Sequence, residues 1–190
     1  MRRISILGST GSIGTSTLAV VEKFPGLFAV SALTANANTT LLAEQISRFH
    51  PDLAVVGSKE AVRALKNRLP AGTKTDILFG EEGYIAAAVH DHCDTVVSAM
   101  VGAAGLMPTL AAVDASKHVA LANKETLVMA GDIVMALSRK NNIEIRPIDS
   151  EHSAIYQCLA GNRRQDLRQI YLTASGGPFR SLPAADFADI

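Results

Sequence analysis

The segment ISILGSTGSIG, residues 4–14, is the stretch that decides the fold. Its apolar start at residues 4–7 is typical of a buried strand, and three evenly spaced glycines follow it. Glycine permits a tight turn and lets a backbone approach a pyrophosphate, while the N–H groups of a following helix attract the anion. We therefore predict a strand–turn–helix that binds a dinucleotide, with hydroxyl donors at Thr10 and Ser12. The three glycines are Gly8, Gly11 and Gly14.

The glycine turn alone is weak evidence for a cofactor. Its spacing is G-x-x-G-x-x-G rather than the commoner G-x-G-x-x-G, and an ordinary strand-to-helix turn also favours Gly and Ser. A P-loop is disfavoured because no Lys-Ser or Lys-Thr follows at the required spacing. The position of the turn, after the first strand of a long α/β alternation, favours a nicotinamide cofactor.

Apolar runs and helical periodicities alternate as far as residue 148. Strands are predicted at 4–7, 28–34, 53–56, 77–79, 95–99, 119–122 and 144–148, and helices at 15–23, 41–49, 59–69, 82–89, 106–115 and 124–140. Several strands are continuous apolar runs, which are typical of parallel strands buried on both faces. The pattern predicts a doubly wound, mostly parallel, Rossmann-like α/β sheet.

The regular alternation ends near residue 149. A helix at 150–159, a polar loop at 161–166 and a strand at 169–174 are predicted beyond it. We interpret residues 1–149 as the nucleotide-binding domain and residues 150–190 as the beginning of a second α/β domain.

Composition excludes several classes of function. Eighteen basic residues balance eighteen acidic ones, so no net charge favours nucleic acid or an anionic membrane. No segment resembles a signal peptide or a membrane span. Two cysteines without a C-x-x-C pair indicate reduced thiols, and we expect a soluble, cytoplasmic protein.

The end of the second predicted strand, residues 35–38, reads ANAN. It has no acidic residue to hold two ribose hydroxyls, which favours NADP over NAD. It also has no Arg or Lys for a 2′-phosphate. The alternative is a helix-capping loop, with Thr39 or Thr40 as the predicted cap of the next helix.

Two carboxylates, Asp149 and Glu151, lie two residues apart at a strand-to-helix junction. Hard oxygen donors suit Mg²⁺ or Mn²⁺. The spacing alone favours another interpretation, in which Asp149 or Ser150 caps a helix and Glu151 interacts with its dipole. A metal site would need a third protein ligand or a chelating substrate.

Three further groups of residues have polar side chains that could belong to a binding site. Asn123 and Lys124 follow a strand, where they could contact a cofactor amide and a phosphate, or simply begin a helix. Ser175 begins a Ser-Gly-Gly turn that suits an anion but is also a common tight turn. His90, His92 and Cys93 precede a strand without a second ligand pair, and we interpret them as surface loop residues.

In combination, five sequence motifs of this chain closely resemble those of the 1-deoxy-D-xylulose 5-phosphate reductoisomerase family. The motifs, in chain order, are GSTGSIG (8–14), VGAAG (101–105), LANKE (121–125), DSEHSAI (149–155) and SGGPF (175–179). The resemblance implies conversion of 1-deoxy-D-xylulose 5-phosphate to 2-C-methyl-D-erythritol 4-phosphate in non-mevalonate isoprenoid synthesis. It also implies NADPH, a Mn²⁺, Mg²⁺ or Co²⁺ ion, inhibition by fosmidomycin and a homodimer.

The resemblance also implies a role for individual residues. Those expected at the NADPH phosphates are Thr10, Gly11, Ser12 and Ile13. Asn38 is expected near the adenosine, and Asn123 and Glu125 near the nicotinamide. The expected substrate contacts are Lys124, Ser150 and Ser175. The expected metal ligands are Asp149 and Glu151, which reverses the interpretation from spacing alone.

Two departures from the family pattern affect these expectations. Many members have Gly-Lys at the positions of Asn36 and Ala37, so one phosphate contact is missing here. Family members are also much longer, and residues after Ile190 would include the lid, a third metal ligand and a helical domain. For these residues alone we expect a folded cofactor domain with negligible turnover.

The reaction implied by the resemblance has two stages. A metal chelated by the substrate polarises its carbonyl, and a retro-aldol and aldol rearrangement gives an aldehyde, which NADPH reduces. Two alternatives remain open: a non-catalytic nucleotide-binding module and another NADP-dependent dehydrogenase. The second would need a catalytic Cys or a different second half.

Overall fold

The computed structural model describes residues 1–172, 177, 180–183 and 186. The chain divides into two compact units, Met1–Asp149 and Ser150–Ile190.

The first unit is built around a seven-stranded sheet in which every neighbouring pair is parallel. The strands are β1 (Arg2–Leu7), β2 (Phe28–Thr34), β3 (Leu53–Val56), β4 (Asp76–Phe79), β5 (Thr95–Ser98), β6 (His118–Leu121) and β7 (Ile145–Pro147). Their order is β4-β3-β2-β1-β5-β6-β7. The predicted doubly wound parallel sheet is confirmed.

Helices connect the strands and cover both faces of the sheet. They are α1 (Ser12–Lys23), α2 (Thr39–Phe49), α3 (Lys59–Lys66), α4 (Gly80–Ala88), α5 (Leu106–Asp114) and α6 (Lys124–Lys140), with a 3₁₀ turn at Gly102–Gly105. One core lies under α1–α3 and contains Leu18, Leu42 and Leu65. The other lies under α4–α6 and contains Ala87 and Val134.

Neighbouring residues of one strand contribute their side chains to opposite cores, one on each face of the sheet. Ile6 belongs to the first core and Leu7 to the second, and both side chains are fully buried. Ala54 and Val55 divide in the same way on β3. Because neither face of β3 meets water, its four residues are continuously apolar rather than alternating.

Several predicted boundaries are wrong by a few residues. Helix α3 ends at Lys66 rather than residue 69. Thr39 and Thr40 lie inside α2, and the residue that caps this helix is Asn38. Helix α6 has the predicted bounds, but Ala130 has non-helical backbone angles and kinks it.

The second unit contains α7 (Ser150–Leu159), as predicted, and a 3₁₀ turn at Arg164–Asp166 inside the predicted polar loop. Residues 169–172 of the predicted strand have no regular secondary structure, and its last two residues lie outside the described part of the chain. Among the helices of the described residues, none has both the length and the apolar character needed to cross a membrane.

The third glycine of the turn is required by packing. A Cβ atom at Gly14 would lie 2.4 Å from the Gly8 carbonyl oxygen and 2.5 Å from the Ser9 Cα. Both are backbone atoms that cannot move without displacing the turn. Gly131 in α6 differs, since its Cβ would meet only the Leu127 Cβ, at 3.8 Å.

We predict that Gly14→Ala lowers the free energy of unfolding by roughly 1–3 kcal/mol, the usual cost of overpacking. Gly131→Ala is the matched control and should be neutral or stabilising, because alanine favours helices. Urea unfolding of both variants checks the prediction. Equal stability of the two variants would contradict it.

Candidate functional site

The site lies where the order of the strands reverses. β1 has β2 on one side and β5 on the other, and a parallel α/β sheet opens a crevice at the carboxyl ends of such neighbours. Gly8 directly follows β1 and has φ +87°, and a Cβ there would lie 2.7 Å from the Ala99 carbonyl oxygen after β5. The glycine turn and the loop after β5 therefore meet at backbone contact distance.

A buried polar network fixes the turn from behind. The Ser9 hydroxyl donates to Oε1 of Gln45 at 2.7 Å, and Nε2 of Gln45 donates to the Ser9 carbonyl at 2.9 Å. The Gly8 N–H donates to Oγ1 of Thr34 at 2.8 Å. Ser9 and Thr34 are fully buried, and Gln45 is 5% exposed. These contacts hold the turn in one conformation.

The sequence reasoning did not identify this network. Its one visible signal is Gln45, a polar residue between Leu42 and Ile46 on the buried face of α2. Such a residue must find buried hydrogen-bond partners. Its partners lie far away in the sequence, so the pattern does not reveal them.

The N-terminus of α1 presents unsatisfied N–H groups. Within the first unit, whose residues are all described, α2, α3 and α6 have side-chain caps from Asn38, Ser58 and Asn123, whereas α1, α4 and α5 have none. Helix α1 begins instead after exposed Gly11, has no side-chain cap and has no acidic residue in its first turn. Ser12 is exposed. This end of α1 is therefore open to an anion.

Residues 35–38 form the loop after β2. The Ala35 carbonyl accepts a hydrogen bond from the Tyr84 hydroxyl at 3.1 Å, and burial raises the pKa of that tyrosine. The exposed Asn38 accepts from the Leu41 N–H at 3.2 Å, so the loop does cap α2, but through Asn38 rather than the predicted Thr39 or Thr40. The loop thus presents polar side chains beyond a fixed backbone.

Arg68 supplies a cation near this loop. Its Nε donates to Oγ1 of Thr40 at 3.2 Å, which places a guanidinium beside the first turn of α2. Arg68 follows α3 and lies 28 residues from Thr40. Sequence spacing gave no sign of this contact.

Asn123 clamps the loop after β5 to the start of α6. Its Nδ2 donates to the carbonyls of Met100 at 2.5 Å and Gly102 at 2.9 Å. Its Oδ1 accepts from the Thr126 N–H at 3.0 Å and the Thr126 hydroxyl at 3.2 Å. The side chain is 2% exposed, so all its bonding capacity is used inside the protein. Its direct effect is to position the loop and the helix.

The two residues after Asn123 differ in their exposure. Lys124 is exposed at the first position of α6, and none of the ion pairs within residues 1–149 includes it. Glu125 is half-buried in the first turn. The ammonium of Lys124 is therefore available to an anionic group.

The predicted metal ligands fall on either side of the boundary between the units. Asp149 is half-buried after β7, exposed Ser150 begins α7, and Glu151 is half-buried in its first turn. Ser175 lies outside the described residues. The roles predicted for all four residues stay predictions.

Two family models match the chain. Residues 4–131 match 1-deoxy-D-xylulose 5-phosphate reductoisomerase, and residues 145–190 match the C-terminal domain of the same family.

Curated relatives carry the same description. A protein of Desulfosudis oleivorans is 59% identical over 94% of this chain, and one of Chlorobium limicola is 52% identical over 98%. Both are described as 1-deoxy-D-xylulose 5-phosphate reductoisomerase. The chain spans 47% and 48% of their lengths, about half of each.

Solved structures agree with these relatives. The Zymomonas mobilis enzyme in complex with NADPH is 41% identical, with a TM-score of 0.87 over 97% of this chain and 48% of its own. A second reductoisomerase, in complex with NADPH, fosmidomycin and magnesium, is 45% identical with a TM-score of 0.78. That alignment covers 83% of this chain and 39% of the other.

We predict that Asn123→Ala lowers the free energy of unfolding by about 2–4 kcal/mol, since it removes a cap and leaves buried carbonyls unpaired. The matched control is Asn38→Ala, which removes one exposed cap and should cost about 0.5–1 kcal/mol. Chemical unfolding measures both. If Asn123→Ala costs no more than the control, the clamp is not stabilising.

Proposed function

The chain belongs to the 1-deoxy-D-xylulose 5-phosphate reductoisomerase family, and from this we propose that its first unit binds NADPH. The observation that carries the proposal is the uncapped N-terminus of α1, directly behind the glycine turn and at the reversal of strand order. Backbone N–H groups and the positive end of the helix dipole suit a pyrophosphate.

The shape of the turn fits this ligand. Gly11 at the cap position is exposed, and its missing side chain lets a phosphate approach the backbone. Ser12 adds a hydroxyl, and Thr10 and Ile13 are half-buried beside it. These four residues are proposed to surround the pyrophosphate.

The residues proposed for the adenosine and nicotinamide ends of the cofactor follow from their positions in the fold. Asn38, exposed after β2, is proposed to contact the adenosine. Asn123 is proposed to hold the loop of residues 100–102 beside the nicotinamide, and Glu125 to lie at the same end. This gives Asn123 a positioning role, because its own amide is fully bonded.

A divalent cation, Mn²⁺, Mg²⁺ or Co²⁺, is proposed to bind Asp149 and Glu151. The donor set fits, because two carboxylates are hard oxygen ligands and leave coordination positions for a chelating substrate. When bound, such a cation supplies polarisation of a substrate carbonyl. The ammonium of Lys124 and the hydroxyls of Ser150 and Ser175 are proposed to hold the phosphorylated sugar.

The reaction is proposed for the whole-length protein. That reaction is conversion of 1-deoxy-D-xylulose 5-phosphate to 2-C-methyl-D-erythritol 4-phosphate by a homodimer. The 190 residues span about half the length of the curated relatives, and they include the proposed NADPH site and two proposed metal ligands. Cofactor binding is therefore the property to test in them.

We predict that Ser12→Asp weakens NADPH binding by at least about tenfold, because a carboxylate at the start of α1 repels the phosphates. The same change should raise thermal stability slightly, since acidic residues favour helix N-termini. Fluorescence titration with NADPH and thermal unfolding measure the two effects.

The control is Ser16→Asp, which places the same charge on an exposed position one turn later in α1. It should bind NADPH nearly as tightly as the unaltered chain. NADPH affinity that is equal in the two variants would overturn the proposed phosphate site.

We predict that Arg68→Met weakens NADPH binding several-fold and leaves NADH binding unchanged. The guanidinium beside Thr40 is proposed to pair with the 2′-phosphate, in place of the family lysine that Ala37 replaces. Arg63→Met, an exposed change on α3, is the control. Parallel titrations with both cofactors test this, and an equal loss for NADPH and NADH would contradict it.

A further inference from the structure

A second cluster of metal-binding side chains lies at the opposite edge of the sheet. It consists of Asp52, His90 and His92, and their ligand atoms all lie within 4.8 Å of one another. Asp52 immediately precedes β3, and His90 and His92 lie in the loop before β5. The cluster is therefore at the amino ends of the strands, away from the proposed NADPH site.

The sequence interpretation of this loop was partly wrong. Cys93 is not at the surface: it is 3% exposed, and burial raises the pKa of its thiol. His90 is half-buried and His92 is exposed. The ligand that the sequence pattern did not supply is Asp52, about 40 residues earlier, which the parallel sheet brings to the same edge.

The backbone of the cluster is anchored to the sheet. The His92 carbonyl accepts from the Ser31 hydroxyl at 2.5 Å and from Nε of Arg3 at 3.0 Å. The Asp52 N–H donates to the Ser31 carbonyl at 3.0 Å. One serine of β2 thus holds both ligand-bearing segments, and this fixes their separation before any ion binds.

The local charge suits a cation. Oδ2 of Asp52 accepts from Nη2 of Arg3 at 2.5 Å and lies 3.3 Å from Nδ1 of His92. Both contacts use the same oxygen, so Oδ1 remains for a metal. A second carboxylate, Asp94, accepts from the Arg3 N–H at 2.7 Å. Asp52 thus contacts the guanidinium of Arg3 and Asp94 contacts its backbone N–H, so two carboxylates lie beside one arginine.

We propose that Asp52, His90 and His92 bind a divalent transition metal of the zinc class. Two imidazole nitrogens and one carboxylate oxygen match a zinc site with three protein ligands, in which water takes the fourth position. The same donors disfavour Mg²⁺, which prefers oxygen ligands. The ion would join the segments before β3 and β5.

Binding has one identifiable cost. The His92 N–H donates to Nδ1 of His90 at 3.3 Å. A neutral imidazole has one acceptor nitrogen, and coordination to a metal uses it, so Nδ1 of His90 would no longer accept this hydrogen bond. The lost hydrogen bond is long and exposed. Because it has three protein ligands, the site should bind zinc more weakly than a closed site with four.

The test is isothermal titration of the 190-residue chain with zinc chloride, together with thermal unfolding. The chain carries Glu151→Gln and Cys158→Ser, which remove a proposed metal ligand and an exposed thiol from competition. Onto this background are placed His90→Gln, His92→Asn and, as control, His50→Asn. His50 adopts a left-handed conformation that asparagine tolerates.

One zinc ion should bind the background chain and raise its unfolding temperature, because the metal binds the folded state. His90→Gln and His92→Asn should each weaken binding at least about tenfold, since even groups that only support metal ligands have effects of that size. His50→Asn should bind normally, and Mg²⁺ should not shift the unfolding temperature.

Unchanged zinc affinity in His90→Gln and His92→Asn would overturn the proposal. An equal loss in His50→Asn would also overturn it, because it would indicate unspecific binding to exposed histidines. NADPH titration of the same variants is independent of this outcome, so failure of the zinc site is distinguishable from failure of the proposed function.

Discussion

The rest of the site depends on the close approach of the glycine turn to the loop after β5. At Gly8 a side chain would collide with the Ala99 carbonyl, and at Gly14 it would collide with the turn itself. Only backbone without side chains fits between the ends of these strands. The N-terminus of α1 is thereby placed at the reversal of strand order, where a parallel sheet opens to a ligand.

Polar side chains hold this arrangement in place rather than face the ligand. Gln45 and Ser9 bond to each other in the interior, and Asn123 bonds to backbone and to Thr126. A buried polar group without a partner is costly, so each network has few alternative arrangements. The consequence is a preorganised edge whose backbone N–H groups are already directed outward when a ligand arrives.

The sequence predicted the fold better than the site, and there is a physical reason. Strands such as Leu53–Val56 are buried on both faces, so their continuous apolar runs are a local signal. The partners of Gln45 and Asp52 lie tens of residues away, and only the parallel sheet brings them together. The α2 cap was misplaced by one or two residues because Asn38, Thr39 and Thr40 are all suitable caps.

A chain with no net charge can still suit the proposed dinucleotide. Eighteen basic residues equal eighteen acidic ones, and no lysine or arginine lies in the glycine turn. The first turn of α1 instead combines the absence of a cap with the absence of an acidic side chain, so its N–H groups are not neutralised. A cluster of cations would attract any polyanion, whereas oriented N–H groups act over short distances and only on a group that fits the turn. Selectivity at this end of the proposed cofactor site therefore comes from backbone geometry, which explains why three glycines are its clearest sequence signal.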